Sequence, residues 1–267
     1  EELMTLRNIT GFKTVEIKGN TFTFNGQVIK FKGVNHHDTN GKTGYVMTFD
    51  DYEKDVKLIK EYNGNAIRTS HYPPDPCLIA LADTYGLYIV DEADIETHGA
   101  FFAPHNDINK ISHDLKWAPR YLDRVKRMYY RDRSHPCITM WSLGNEVTHR
   151  NLPQVVRELD RQVALIRALD KQKRPVGSFS ASGSWPAYGE ERLDTDFLDI
   201  HTYTALAQPW TRLPEELETL RQGMLRIYGE KERLSRPLVS WEDVGFSWGI
   251  YPDPKFRVGS LRDYLEY

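Results

Sequence analysis

The feature that most narrows the fold is a repeated unit: a short apolar strand, a polar tip rich in His, Asp and Glu, then a segment with helical spacing. Phe31 to Asn35 runs into His36-His37-Asp38, and Asn65 to Arg68 runs into Thr69-Ser70-His71-Tyr72-Pro73. Leu87 to Val90 ends in Asp91-Glu92-Ala93-Asp94-Ile95-Glu96-Thr97-His98, and Ile138 to Gly144 ends in Asn145-Glu146. Further strands of this type are expected at 174–179, 197–203 and 236–242. The intervening helices declare themselves by period. Thr48 and Asp51 form a capping box ahead of Phe49, Tyr52, Val56 and Ile59. Leu78, Leu81, Ala82 and Tyr85 share one face, as do Tyr121, Leu122, Val125 and Met128, and then Val155, Leu159, Val163, Ile166 and Leu169. A last helix is expected over 213–228.

Strand and helix in strict alternation with short turns imply a parallel sheet, and this many units on one chain favour a closed (β/α)₈ TIM barrel over an open doubly wound sheet. Thr14 to Lys32 reads as a β-hairpin around Asn25-Gly26, a dipeptide suited to a two-residue turn. The expected division is therefore an N-terminal segment and hairpin over 1–32 and a barrel over 33–267. No eighth unit is evident after Glu242, so either the barrel closes irregularly or the chain is a fragment.

A net charge of −3 with no basic stripe counts against nucleic acid as a partner. No apolar run is long enough to cross a membrane. The first ten residues lack the basic and apolar parts of a signal peptide, which leaves the compartment open, with cytoplasm favoured over periplasm or secretion. The 2 cysteines, Cys77 and Cys137, lie in apolar contexts outside any metal or redox spacing and read as buried free thiols.

In a barrel the polar tips converge on one face, far apart in sequence though they are. Two carboxylates ending separate strands, Glu146 and Glu242, are what glycoside hydrolysis requires. One donates a proton to the departing oxygen and the other attacks or stabilises the oxocarbenium-like centre. A separation of roughly 5–5.5 Å means retention, and roughly 6.5–9.5 Å means inversion. Asp91 and Glu92 read as braces of the barrel, since neighbours on a strand face opposite sides.

NHHD at 35–38, RTSHYP at 68–73, IVDEADIETHG at 89–99, RDRSHP at 131–136 and WSLGNE at 141–146 resemble glycoside hydrolase family 2, in particular its β-galactosidases. The resemblance is close from Gly11 to Glu146 and looser to about Trp248. It implies cleavage of terminal β-D-galactosides by double displacement, with Glu146 as acid/base and Glu242 as nucleophile. It also implies that Asn145 bonds the sugar 2-hydroxyl, that Tyr203 stands near the nucleophile, that His71 meets sugar hydroxyls and that Arg68 supports the carboxylates. The strand-tip residues His37, Asp38, His201 and Trp241 complete the expected sugar-facing set. Mg²⁺ is implied through Glu96, His98 and Glu146. His36 replaces the arginine common in the family. A β-glucuronidase or another β-glycosidase of the family is the nearest alternative, and a non-catalytic carbohydrate-binding barrel fragment is the other. The family's members carry further domains beside the barrel, so a longer chain is expected, with homo-oligomers allowed.

Overall fold

A computed structural model of the chain describes residues 10–100, 107, 109–147, 153–177, 194–201 and 236–242, with Met4 and Gln222; at 198–201, 238 and 240–242 it describes the backbone. Three short strands, β1 (Val15–Lys18), β2 (Thr21–Phe24) and β3 (Gln27–Val28), form an antiparallel meander. The expected hairpin is thus one half of a larger unit. Its turn is as read, with Asn25 at φ 50° and Gly26 at φ 78°, both left-handed as a type I′ turn demands. The second turn, at Gly19-Asn20, was not anticipated, and beyond Val28 the expected second arm leaves the sheet.

Five parallel strands follow in chain order: β4 (Gly33–His36), β5 (Ala66–Thr69), β6 (Tyr88–Glu92), β7 (Ile138–Ser142) and β8 (Val176–Gly177). A parallel pair, β9 (Leu198–His201) and β10 (Leu238–Glu242), continues the series. Asp196 joins it to β8, its N–H donating to the Val176 carbonyl at 2.9 Å and its Oδ2 accepting from Val176 N at 2.9 Å. This is the strand succession of a TIM barrel. The expected position of an eighth strand, after Glu242, and, apart from Gln222, the expected helix over 213–228 lie outside the described residues.

Helices α1 (Phe49–Glu61), α2 (Pro76–Tyr85), the short α3 (Asn109–Ser112), α4 (Ala118–Asp132) and α5 (Pro153–Leu169) connect the strands. The capping box of α1 forms as read, Thr48 accepting from Asp51 N and Asp51 from Thr48 N. Phe49 departs from expectation and is exposed, because as the first helical residue it stands ahead of the face that Tyr52, Val56 and Ile59 bury. Asp75 caps α2, with Pro76 at its first position where no intrahelical N–H is needed.

Strand alternation, with a β-bulge at Thr139 that turns Ile138 and Met140 to opposite faces, sorts the core into two. Ile89, Ile138 and Trp141 join the cluster under the helices, while Val90 and Met140, on the opposite strand face, pack with Val15, Phe22 and Phe197. The meander therefore fills the inner face of the sheet. Lys13, just ahead of it, donates to the carbonyls of His135 at 3.0 Å and Pro136 at 2.6 Å, and to that of Ile138, where β7 begins. On that same inner face, beyond Val90 and Met140, stand Glu92 and Ser142, so the interior changes from apolar to ionic towards the strand ends. Both thiols are free. Cys137 is buried with Sγ 3.6 Å from the Ile79 carbonyl, but Cys77 is only half-buried, being in the first exposed turn of α2.

Candidate active site

Glu92, the last residue of β6, is fully buried and is the anchor of the ionic layer. Arg68 Nε donates to its Oε2 at 2.7 Å, Ser142 Oγ to the same oxygen at 2.6 Å, and His71 Nδ1 lies 2.8 Å from Oε1. Three parallel strands or their tips thus meet at one carboxylate. Burial alone would raise its pKa, but Arg68 above all, then His71 and Ser142, hold it at about 2. Glu92 is therefore a brace, as expected. Arg68 also reaches Asn145, donating from its second amino group to Oδ1 at 2.8 Å.

Beyond β7 the chain bends sharply into the site. Gly144 sits at φ 151°, and a Cβ there would lie 2.9 Å from the Ile95 carbonyl oxygen, so only glycine lets the two segments come together. Asn145 N donates to that same carbonyl at 2.9 Å, and Asn145 and Glu96 pair as a parallel bridge. Glu146 then takes a left-handed backbone, φ 44°, uncommon for a residue with a side chain and a conformation that gathers at functional sites. The turn is held to the loop after β6 by the Asn145 backbone bond and by Asn145 Nδ2 donating to Glu96.

Glu96, His98 and Glu146 stand in a row. His98 Nε2 is 3.0 Å from Glu146 Oε2, while its Nδ1 bonds Glu96 Oε1. Glu96 accepts in addition from Thr97 N at 2.9 Å, His98 N at 3.1 Å and Asn145 Nδ2 at 2.6 Å. The bonds to Glu146 and to Glu96 raise His98 to about 10 against the effect of burial. For Glu96 burial acts upward, but His98 and Asn145 outweigh it and hold the carboxyl below its usual range.

The donor types suit a divalent cation, two carboxylates and an imidazole within bonding distance of one another. Among the described residues, however, no three such side chains already converge as a metal-binding group. The imidazole lies between the carboxylates, each ring nitrogen on a different one.

On the other side of Glu92 stand the residues expected to meet sugar hydroxyls. The His37 and His71 rings are 5.4 Å apart and edge to face, and Tyr72 Oη is 3.4 Å from His37 Nδ1. Asp38 does not project as a free ligand. It is buried, with Oδ2 accepting from Asp75 N at 2.7 Å and its own N–H donating to Tyr72 Oη at 3.0 Å. Tyr72 was given no role of its own although it lies within the SHYP motif, and Asp75, two residues past that motif, was not singled out in sequence. His135, in the RDRSHP stretch, bonds Asp83 at 2.6 Å. Glu242 ends β10 with its Cα in register with His201 of β9. The side chains of His201, Trp241 and Glu242, and Tyr203 altogether, lie outside the described residues.

The sequence matches the family description "Glycosyl hydrolases family 2, TIM barrel domain" over residues 15–242. It is 47% identical over 210 residues to a β-galactosidase of Pectobacterium atrosepticum, covering 77% of this chain and 19% of that protein. To a β-galactosidase of Vibrio vulnificus it is 45% identical over 257 residues, covering 96% of this chain and 24% of that protein. Among solved structures, a β-glucuronidase from Ruminococcus gnavus in complex with uronic isofagomine superposes with a TM-score of 0.73 at 25% identity, covering 86% of this chain and 39% of that one. The chain spans about a fifth of the length of the curated relatives it matches.

Proposed function

Because the chain belongs to glycosyl hydrolase family 2, as its TIM barrel domain, we propose that it is the catalytic barrel of a retaining β-galactosidase. The observation that carries this reading is the turn after β7, which sets Glu146 against His98 and Asn145 between Arg68 and Glu96. Glu146 is the acid: it protonates the glycosidic oxygen as the aglycone leaves. Glu242 attacks the anomeric carbon to give a covalent glycosyl-enzyme, which discharges its carboxylate. Glu146 then takes a proton from the water that releases the sugar.

Asn145 suits the 2-hydroxyl. Its amide has two N–H donors and two acceptor lone pairs, and Arg68 and Glu96 engage one of each, leaving one donor and one acceptor direction for a sugar. His71 and His37 form the facing wall with Asp38 behind them, His201 and Trp241 are assigned to the remaining side by their places in β9 and β10, and Tyr203 by the family resemblance alone. Glu96, His98 and Glu146 would hold Mg²⁺, and the ion would supply a fixed positive charge beside the acid/base. The domains found in longer relatives are part of this reading, since a fifth of such a protein leaves room for flanking units that complete the pocket.

A β-glucuronidase is the second reading, favoured by the structural likeness to one. The higher identity to β-galactosidases weighs for galactose. A panel of nitrophenyl glycosides on the full-length native polypeptide decides between them. Turnover of the β-galactoside with β-configured galactose as first product supports the proposal, turnover of the β-glucuronide alone replaces it, and no turnover of any β-glycoside refutes both.

A further inference from the structure

His36, at the end of β4, is buried, yet its ring stands between two carboxylates. Nε2 lies 3.1 Å from Asp55 Oδ2 on α1, and Nδ1 lies 3.5 Å from Asp38 Oδ1. The His36 carbonyl accepts from Ser70 N at 3.1 Å and Ser70 Oγ at 3.3 Å, which ties the end of β4 to the end of β5. The Nε2 contact is a hydrogen bond and the Nδ1 contact an ion-pair distance, and a carboxylate on each side of the ring favours its doubly protonated form.

Asp38 passes this arrangement on. Through Asp75 N it grips the first turn of α2, and through Tyr72 Oη it fixes the residue that touches His37. On its open side lies a cavity of about 410 Å³, lined also by Tyr52, Pro73, Asp75 and Arg131. Deprived of its counter-charge, the Asp38 carboxylate has solvent space to turn into, and a desolvated charge without a partner is strongly driven there.

We propose that His36 is a positioning residue for substrate binding: its imidazolium, between Asp38 and Asp55, holds Asp38 in place and thereby sets where His37 and His71 stand. The inference rests on the glycosidase reading above. Burial works against the charge on His36, but the bonds to Asp38 and Asp55 outweigh it and raise the imidazole to about 9. The groups facing this cluster are Asp38 beyond β4, Tyr52 and Asp55 on α1, Tyr72, Asp75 and Cys77 at the start of α2, and Arg131 across the cavity. Burial pushes Tyr52, Tyr72 and Cys77 upward, and the ionised Asp38 is held below its usual range against burial by His36 and Asp75 N. His36 is thus the member placed to change charge near that pH.

The test is the pH dependence of KM, separate from the fall in kcat that loss of the acid's proton brings. It uses the full-length native polypeptide and nitrophenyl β-galactoside, with wild type, His36→Arg and His36→Gln. Wild-type KM is expected to rise as pH passes about 9 and to level off about tenfold higher once the His36 proton is lost. His36→Arg, with a permanent charge, should remove that rise. His36→Gln should raise KM about tenfold already at neutral pH while keeping kcat within about threefold. The same alkaline rise in wild type and His36→Arg, or wild-type KM in His36→Gln, overturns the inference and leaves the glycosidase reading standing. Absence of hydrolysis by wild type refutes that reading and the inference with it.

Discussion

Glu146 meets His98 across 3.0 Å, and the far side of the same imidazole is bonded to Glu96. The proposed acid, on a residue with left-handed backbone at φ 44°, therefore has an imidazole as its immediate neighbour. Its role as acid has a kinetic signature.

Glu146→Gln should slow turnover of substrates with poor leaving groups, such as lactose or alkyl galactosides, by about a hundredfold or more. Activated aryl galactosides, which need little protonation on departure, should lose far less. The comparison of kcat/KM across a leaving-group series checks this, and equal losses throughout would show that Glu146 is not the acid.

Glu92 should prove chiefly structural. Glu92→Gln removes the buried carboxylate that pairs with the Arg68 guanidinium at 2.7 Å, and removal of one member of a buried pair typically costs about 3–5 kcal/mol. Activity should fall as well, because Arg68 is then free to pull Asn145 away from its place. The sign of the pH effect follows from the lowered pKa. Folded Glu92 stays ionised to about 2, so its contribution is complete above the unfolded value of about 4.3 and is lost as pH falls towards 2. Urea midpoints of wild type and variant, measured from neutral to acid pH, should converge at the acid end.

Asp91 should show the opposite trend. It faces away from Glu92 and is fully buried; burial first, then the nearby Asp132, which Arg131 bonds through both oxygens, push its carboxyl well above the usual range. The folded state keeps this proton where the unfolded chain has lost it. Stability is thus complete below the unfolded value of about 3.9 and declines as pH rises towards the folded one. Asp91→Asn, isosteric with the protonated acid, escapes that decline. Its thermal midpoint relative to wild type should rise steadily with pH, and a difference that does not vary with pH would contradict the assignment.

Metal dependence can be read apart from chemistry. If Glu96, His98 and Glu146 hold Mg²⁺, a chelator should depress galactosidase activity and Mg²⁺ should restore it. Glu96→Gln should then raise the Mg²⁺ concentration for half-maximal activity by at least about tenfold. An activity indifferent to chelator in both proteins would leave the row of three as an ionic brace.

What could be read in sequence follows from what periodicity encodes. Strand alternation determines which face a side chain occupies, so Arg68, Glu92 and Asn145 could be assigned to the strand ends, and the buried faces of α1, α2, α4 and α5 came with them. Phe49 shows the limit, since helical spacing does not say where a helix first touches the sheet. Asp38 shows another: its partners Tyr72 and Asp75 are supplied by a loop 34 and 37 residues later, and no local pattern announces a bond at that distance. For Glu96, His98 and Glu146 the set was legible but the order was not, because the imidazole's place between the acids is a matter of rotamers. The turn at Gly19-Asn20 was missed for a simpler reason, as strands of 4 residues carry too few alternations to be told from a single long arm.

Lys13 gives the molecule a sequence of assembly. Its carbonyl partners on His135 and Pro136 lie 122 and 123 residues further along, so this tie closes one of the longest loops in the described chain. Contacts of such separation carry a large closure entropy and form late. In native-state hydrogen exchange the meander should accordingly open at lower free energy than β5, β6 and β7. Until the segment leading into β7 has reached its place, Lys13 lacks these carbonyls, so the meander should dock on the described sheet after β5, β6 and β7 have paired.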